Sequence, residues 1–314
     1  MITGAGLGCR KFIWLGCLFP MTQGEMVVTT EQLEIDQSNA RFWNELCGSG
    51  FARSLGLTDH SFESLRRFDE GFFGLYPYLL PIVQPDRMVG KDVLEIGLGY
   101  GTLGQKIAEA GARYKGLDIA PNAVEMLNHR LRLMNLPGSA VCGSALEMTF
   151  PDESFDFVVS IGCLHHTGNI QRCFDEVFRV LRGGGVAVLM AYNKFSWRQW
   201  TGWPLQTTAE LLRDWRVLNR PDRISTERRK AYDANAAGEA APETVLLSRR
   251  DLRRMLAKFE SVSIQAQNMD PFRLCGRVLV NRAKLLGNFG RVLGLDLYLT
   301  AQKKATNYTT HESN

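Results

Sequence analysis

The chain has 314 residues, 45% of them hydrophobic, and a formal net charge of +4. That length holds one large α/β domain with additions, or two small domains, and that apolar content builds a sizeable core. So small a charge gives no argument for nucleic acid as a partner. The seven cysteines, at 9, 17, 47, 142, 163, 173 and 275, contain no C-x-x-C pair. Neither a disulfide framework nor a metal site is expected, and a reducing cytoplasm fits. Cys142, Cys163 and Cys173 read as single buried thiols.

Arg10 and Lys11 precede an apolar run of eight at 12–19. A bilayer span needs about 20 apolar residues. Residues 1–30 therefore read as a poorly ordered leader, with a signal or anchor segment as the alternative. No other stretch is apolar enough to span a membrane. Residues 31–85 are helical in pattern and rich in aromatics, among them Phe42, Trp43, Phe68, Phe72 and Tyr76. They predict a helical cap ahead of the first strand. Packing against a sheet accounts for most of these rings, and some are placed to wall a substrate site.

The stretch 92–118 organises the rest. Val93 to Ile96 is a short apolar run beside glycines, which predicts a buried parallel strand. Gly97, Leu98, Gly99, Tyr100 and Gly101 then form a turn in which a ligand can approach the backbone. Leu103, Ile107, Ala108 and Ala110 recur at helical spacing, and Gly111 stops that helix. A second strand at 114–117 ends in Asp118, followed by Ile119. Strand, glycine turn, helix, strand and terminal acid make a nucleotide-binding βαβ unit. An ordinary βαβ unit with a tight turn is the bland alternative. Gly99-x-Gly101-x-x-Gly104, with Asp118 19 positions after Gly99, also satisfies a dinucleotide fingerprint. The turn begins at Gly97, however, and from that register the third glycine position is Thr102. Glu95, two residues before Gly97, faces a pyrophosphate poorly and suits a cationic amino-acid ligand.

From 86 to 192 strands and helices alternate. An amphipathic helix at 121–134 leads to a short strand at 140–142 and the turn Gly143-Ser144-Ala145. A polar turn, Ser154-Phe-Asp156, enters a buried strand at 157–161. Gly162-Cys-Leu-His-His-Thr167 follows, then a helix at 169–181, a glycine cap at 182–185 and a strand at 186–191. Ligands in open α/β sheets sit beyond the carboxyl ends of strands, so the loop bearing Gly162, His165 and His166 points into the cleft.

Across residues 90–192 this series resembles the class I methyltransferases that use S-adenosylmethionine. The resemblance implies that Glu95 and the turn Gly97, Leu98, Gly99, Tyr100 and Gly101 hold the methionine portion. It implies that Asp118 holds the ribose, with Ile119 and Gly162 beside the cofactor. In the family an acid after the third strand contacts the adenine amine. Ser144 stands in that place here, with Ala145 next to it.

Residues 193–247 interrupt the alternation with Trp197, Trp200, Trp203 and Trp215. Between 194 and 254 there are thirteen Lys or Arg against eight Asp or Glu. This predicts a lid at 195–247 over an acceptor that carries negative charge or an aromatic ring; a solvated pair of charged helices is the alternative. Ser248 to Asp251 starts a helix running to 259, as a capping box without the final Glu. A sixth strand at 261–265, a basic helix at 271–290 and a last strand at 295–301 follow.

The expected fold is α/β, a doubly wound, mostly parallel seven-stranded Rossmann-like sheet. Its segments are a leader (1–30), a helical cap (31–85), a core (86–194), a lid inserted after the fifth strand (195–247), the rest of the core (248–302) and a disordered tail (303–314). The expected activity is methyl transfer from S-adenosylmethionine to O, N or C of a small molecule, in specialised or cell-surface metabolism. A nicotinamide-dependent oxidoreductase and a nucleic-acid or protein methyltransferase are the alternatives. Transfer is an in-line displacement in which the enzyme aligns the partners and excludes water. His165 or His166 is the candidate general base for a hydroxyl acceptor; a histidine that only shapes the pocket is the alternative. Tyr100, Tyr192 and the lid tryptophans are expected along the acceptor pocket. The sequence carries no sign of a nucleic-acid partner and leaves the oligomeric state open.

Overall fold

The computed structural model describes residues 29–46, 49–215, 224–274 and 277–306. The leader expected at 1–30 lies outside these but for its last two residues, as do the tail from 307 on and Cys9, Cys17, Cys47 and Cys275. Seven strands form one sheet: β1 (Asp92–Ile96), β2 (Arg113–Asp118), β3 (Ser139–Cys142), β4 (Phe155–Ser160), β5 (Leu181–Tyr192), β6 (Ser261–Gln267) and β7 (Asp296–Gln302). Their order across the sheet is β3-β2-β1-β4-β5-β7-β6. The first five are parallel, and β7 runs antiparallel to both β5 and β6.

Alternation along the strands builds two apolar layers. Leu94, Val158, Leu189, Leu297 and Leu299 face one way, while Val93, Tyr114, Val159, Val188 and Tyr298 face the other. A period of two in the side chains puts one layer on each face. Helices α5 (Thr102–Glu109) and α6 (Pro121–Leu133) contribute Leu103, Ile107, Leu127 and Leu131 to the second layer. Helix α7 (Ile170–Val180) contributes Cys173, Phe174 and Val177 to the first. Successive strands step outward from β1 on one side and from β4 on the other. Their carboxyl ends therefore bound a crevice at the switch point.

The N-terminal helices are α1 (Thr30–Leu46), α2 (Ser49–Ser54), α3 (Phe62–Leu75) and α4 (Leu79–Val83). They attach to the core by polar contacts as well as rings. Asn39 Nδ2 donates to the carbonyl of His166 at 2.7 Å and Gln32 Nε2 to that of Thr167 at 2.9 Å, which binds α1 to the loop after β4. Arg130 of α6 is fully buried and pairs with Asp69 of α3 at 2.9 Å.

Three elements differ from expectation. The helix expected at 271–290 is a hairpin, Phe272–Leu274 with Arg277–Val280, followed by short helices Arg282–Leu285 and Asn288–Leu293. Val278 and Val280 favour extended backbone. Asn281, whose side chain accepts from the Lys284 amide, starts a new helix instead of continuing one. The residues Arg182 to Gly185 do not cap α7 but already belong to β5, because Gly184 takes φ +80° and its amide reaches back to the Lys303 carbonyl. The capping box at Ser248 is complete, closed by Asp251 at the start of α11 (Arg249–Met255), which is shorter than expected.

The segment after β5 forms α8 (Trp197–Gly202), α9 (Pro204–Trp215) and α10 (Thr226–Lys230). Two of its arginines are paired. Arg228 is buried and bonds Glu210 and Gln199, and Arg198 pairs with Asp270 and lies over the Tyr232 ring at 4.6 Å. Among the described residues no helix is long and apolar enough to cross a membrane.

Candidate active site

A cavity of about 620 Å³ opens beyond the carboxyl ends of β1, β2 and β4. One end is formed by Glu95, the turn from Gly97 to Tyr100, Asp118 and Ile119. The other is walled by rings from the cap, Trp43, Phe51, Phe68 and Phe72, and by Tyr232 and Asp233 from the segment after β5. Ile161, Gly162 and Cys163, after β4, form the floor between them.

The glycines of the turn serve different ends. A Cβ on Gly97 would lie 2.3 Å from Cβ of Cys163, so this glycine lets the loops after β1 and β4 touch. A Cβ on Gly104 would meet the Tyr114 hydroxyl at 2.4 Å and Glu95 Oε2 at 2.5 Å. The glycine that completes the literal dinucleotide fingerprint is thus required by an interior pair. Gly99 is different: its φ is +53° and a Cβ there would meet no protein atom within 4 Å. It lines the cavity and leaves backbone open to it.

Glu95 is 3% exposed and accepts a hydrogen bond from the Tyr114 hydroxyl. Burial pushes its carboxyl up to about 8, against the Tyr114 bond, and nearby Asp118 adds to the rise. Such a group is a receptor for a cation: an ammonium beside it supplies the partner the interior lacks. Asp118 is bound on both oxygens. Oδ2 accepts from the Leu98 amide at 2.7 Å and Oδ1 from the Ala120 amide at 2.8 Å. Burial raises its pKa while these amides oppose the rise. The acid at the end of β2 therefore also holds the glycine turn in shape.

Other expected site residues lie elsewhere. Gly101 is the N-cap of α5 with φ +77°, behind the turn, and does not line the cavity. Ser144 and Ala145 are also outside the lining; Ser144 Oγ is used by the Leu146 amide and Ala145 packs in the core. His165 and His166 are buried and stand behind the wall. The short helical turn Leu164–His166 folds both rings inward, His165 against Tyr192 at 4.2 Å and His166 against Trp43 at 4.7 Å. Burial lowers both imidazoles below the ordinary value, and for His165 the neighbouring His166 adds to it. Neither ring reaches the cavity. Tyr192 sits behind Tyr232, their rings 4.5 Å apart. None of Trp197, Trp200, Trp203 and Trp215 lines the cavity; Trp203 backs Arg228 and Trp215 is 77% exposed.

The group that sequence reasoning missed is Asp233. It lines the cavity and accepts from the Tyr192 hydroxyl at 3.0 Å, and its Oδ2 lies 3.6 Å from Nε2 of His166. No spacing marks it, because its partners come from the loop after β4 and the end of β5. The rings of the cap were visible as a cluster, but which of them face the cavity is set by the docking of α2 and α3.

An open, mainly parallel sheet with a ligand cavity at its switch point defines a Rossmann-like nucleotide-binding domain. Residues 94–189 match the family model described as a methyltransferase domain. Over these residues the chain carries a methyltransferase domain similar to those of class I, which use S-adenosylmethionine. It is 32% identical over 105 residues to demethylmenaquinone methyltransferase of Tropheryma whipplei (strain Twist), covering 33% of this chain and 43% of that protein. It is 37% identical over 98 residues to phthiotriol/phenolphthiotriol dimycocerosates methyltransferase of Mycobacterium leprae (strain TN), covering 31% and 36%. The match thus spans less than half the length of these relatives. In fold it is similar to a chain of the complex containing the Haloferax volcanii Trm112 methyltransferase activator, with a TM-score of 0.51 at 16% identity, over 75% of this chain and 93% of that one.

Proposed function

We propose that the chain transfers a methyl group from S-adenosylmethionine to a small, apolar, ring-bearing acceptor. The observation that carries this reading is the open backbone of Gly99 between two buried carboxylates, Glu95 and Asp118, at one end of an aromatic cavity. Glu95 would hold the ammonium of the cofactor, the turn at Gly97, Leu98, Gly99 and Tyr100 its methionine portion, and Asp118 the ribose. Ile119 offers an apolar edge to the base. A pyrophosphate at this end would keep Glu95 uncharged and without a cation partner and would meet the charge of Asp118, which disfavours a nicotinamide dinucleotide. The cofactor supplies an electrophilic methyl group on a sulfonium. The protein's part is to align the acceptor and exclude water.

The acceptor end carries rings and one acid, and Arg198 and Arg228 of the segment after β5 are paired elsewhere. An aromatic acceptor keeps its support from Trp43, Phe51, Phe68, Phe72 and Tyr232, whereas among the described residues an anionic one has no basic side chain in the lining to meet it. Relatives named for demethylmenaquinone and for a sterol accord with an apolar acceptor. We read the helices before β1 as a cap over this end. Among the described residues, the segment 195–247 lines it through Tyr232, Asp233 and Ala234.

Calorimetry tests the cofactor assignment. Asp118→Asn should weaken S-adenosylmethionine by about tenfold to a hundredfold, since hydrogen bonds to a charged group contribute roughly 1.5–3 kcal/mol. Either orientation of the new amide sets an NH₂ against the backbone N–H of Leu98 or Ala120, so the turn loosens too. Unchanged affinity in a folded variant, or tighter binding of NADH than of S-adenosylmethionine, overturns the assignment.

Glu95 gives the binding a pH dependence. Below about 8 its carboxyl is mostly protonated in the free protein. An ammonium selects the carboxylate, so binding releases a proton and affinity should rise between pH 6 and pH 8, by up to about tenfold per pH unit. Above pH 8 the ligand's own amine begins to lose its proton. Calorimetry at pH 7 in two buffers of different ionisation enthalpy should show a proton released by the wild type and none by Glu95→Gln. Stability of the free protein moves the other way. A carboxyl whose folded pKa is raised contributes stability that is full below about 4.5 and is lost as pH climbs through about 8. Thermal unfolding should therefore show Glu95→Gln gaining on the wild type across that window. A constant difference between them from pH 5 to pH 9 refutes the account.

A further inference from the structure

We propose that Asp233 is the acceptor-facing catalytic base, and that the acceptor presents a neutral O–H or N–H group to it from an apolar ring-bearing body. The proposal rests on the methyltransferase reading above and specifies the chemistry of its second substrate. Of the three carboxylates that line the cavity among the described residues, Glu95 and Asp118 belong to the glycine-turn end, and Asp233 stands beside Tyr232 at the ring-walled end.

The surroundings of Asp233 are those of a proton receptor. His166 Nδ1 lies 2.8 Å from the carbonyl of Glu243. A carbonyl only accepts, so Nδ1 carries the hydrogen. The imidazole is neutral at pH 7, because burial holds it below its ordinary value. Its Nε2 then presents a lone pair to Asp233 Oδ2 across 3.6 Å, with no hydrogen between the two atoms. The arrangement is completed by one more proton. The Tyr192 hydroxyl, bonded to Asp233 at 3.0 Å, fixes the carboxylate, and Tyr76, Tyr232, Arg198 and Asp296 are the other ionisable groups placed around it. In the reaction the acceptor heteroatom forms its bond to the methyl carbon while the carbon–sulfur bond breaks with its electron pair kept by sulfur. The acceptor's proton passes to Asp233, whose Oδ2 faces His166 Nε2. His166 and Tyr192 are positioning residues, since neither reaches the cavity.

Protein saturated with S-adenosylhomocysteine is titrated by calorimetry with phenol, benzoate and toluene, and the ring nitrogens of His166 are followed by ¹⁵N NMR. The wild type should bind phenol about tenfold more tightly than benzoate or toluene, the scale of one hydrogen bond to a charge. Phenol, through its hydrogen bond to Asp233, should perturb the Nε2 resonance of His166, and toluene should not. Asp233→Asn, with thermal unfolding near wild type, should lose both the preference and the shift. Tyr192→Phe, which keeps the carboxylate, should retain the preference in weakened form. Benzoate binding as well as phenol, or a phenol preference unchanged in Asp233→Asn, overturns the proposal. So does an Asp233→Asn variant that changes the ratio of S-adenosylmethionine to S-adenosylhomocysteine affinity, for Asp233 would then face the sulfonium. Failure of the wild type to bind S-adenosylhomocysteine removes the cofactor reading and this proposal with it. Intact S-adenosylhomocysteine binding without a phenol preference removes this proposal alone.

Discussion

Gly99→Val is expected to weaken S-adenosylmethionine binding more than a hundredfold. In the free protein a Cβ at this position meets no atom within 4 Å, so the loss cannot come from a clash inside the fold. It comes from filling the space over which the ligand must approach the backbone. A second effect has to be separated from it. With φ at +53°, Gly99 occupies the left-handed region, where a β-branched residue is strained by roughly 1–3 kcal/mol. Some thermal stability is therefore lost as well. Gly90 provides the control. Its φ is +66°, a Cβ there also meets nothing within 4 Å, and it lies in the turn before β1, outside the cavity lining. Gly90→Val should show a similar fall in melting temperature with S-adenosylmethionine affinity unchanged. If the two variants lose affinity alike, or if Gly99→Val binds normally in calorimetry, the turn is not the cofactor cradle.

The second large effect concerns the attachment of the cap. Asp69→Ala should lower the unfolding free energy by about 3–5 kcal/mol, the range for breaking a buried ion pair from one side. Arg130 is fully buried, and its guanidinium bonds both oxygens of Asp69, Gln105 Oε1 at 2.8 Å and, through Nε, the Tyr100 carbonyl at 2.6 Å. Thr102 Oγ1 donates to Asp69 at 2.8 Å. One network thus ties α3 of the cap, α6 of the core and the end of the glycine turn. Removing the carboxylate leaves a buried charge short of its partner beside the ligand site. Urea denaturation measures the loss. Replacing both partners, Asp69→Leu with Arg130→Met, should recover much of it, because no charge is then stranded. A single variant within about 0.5 kcal/mol of wild type contradicts the network's role. The same experiment reports on the site: Tyr100 stacks on Phe68 at 4.0 Å, so a loosened α3 should also weaken ligand binding.

What the sequence by itself determined is the part of the molecule governed by short-range rules. Apolar runs of four to six residues bounded by glycine and acid marked β1, β4 and β5, since a strand buried on both faces needs them. Glu95, the turn from Gly97 to Tyr100, and Asp118 were legible because strand, turn and terminal acid must follow one another within a single βαβ unit. The order of elements from 92 to 192 was enough to separate a methyltransferase pattern from a dinucleotide fingerprint. The tertiary structure decided whatever depends on residues far apart in the chain. Gly104 reads as part of a phosphate-binding motif until Tyr114 and Glu95 are seen in the space its side chain would fill. His165 and His166 read as cleft residues because they follow a strand end, but the turn Leu164–His166 folds their rings inward against Tyr192 and Trp43. The arginines and tryptophans after β5 read as an acceptor surface by composition, yet Arg228 finds Glu210 and Trp203 within its own segment and Arg198 finds Asp270 beyond it. Asp233 carries no local signal at all. It becomes a site residue only when a segment some forty residues beyond β5 returns to the strand ends and sets a carboxylate between Tyr192, His166 and the cavity.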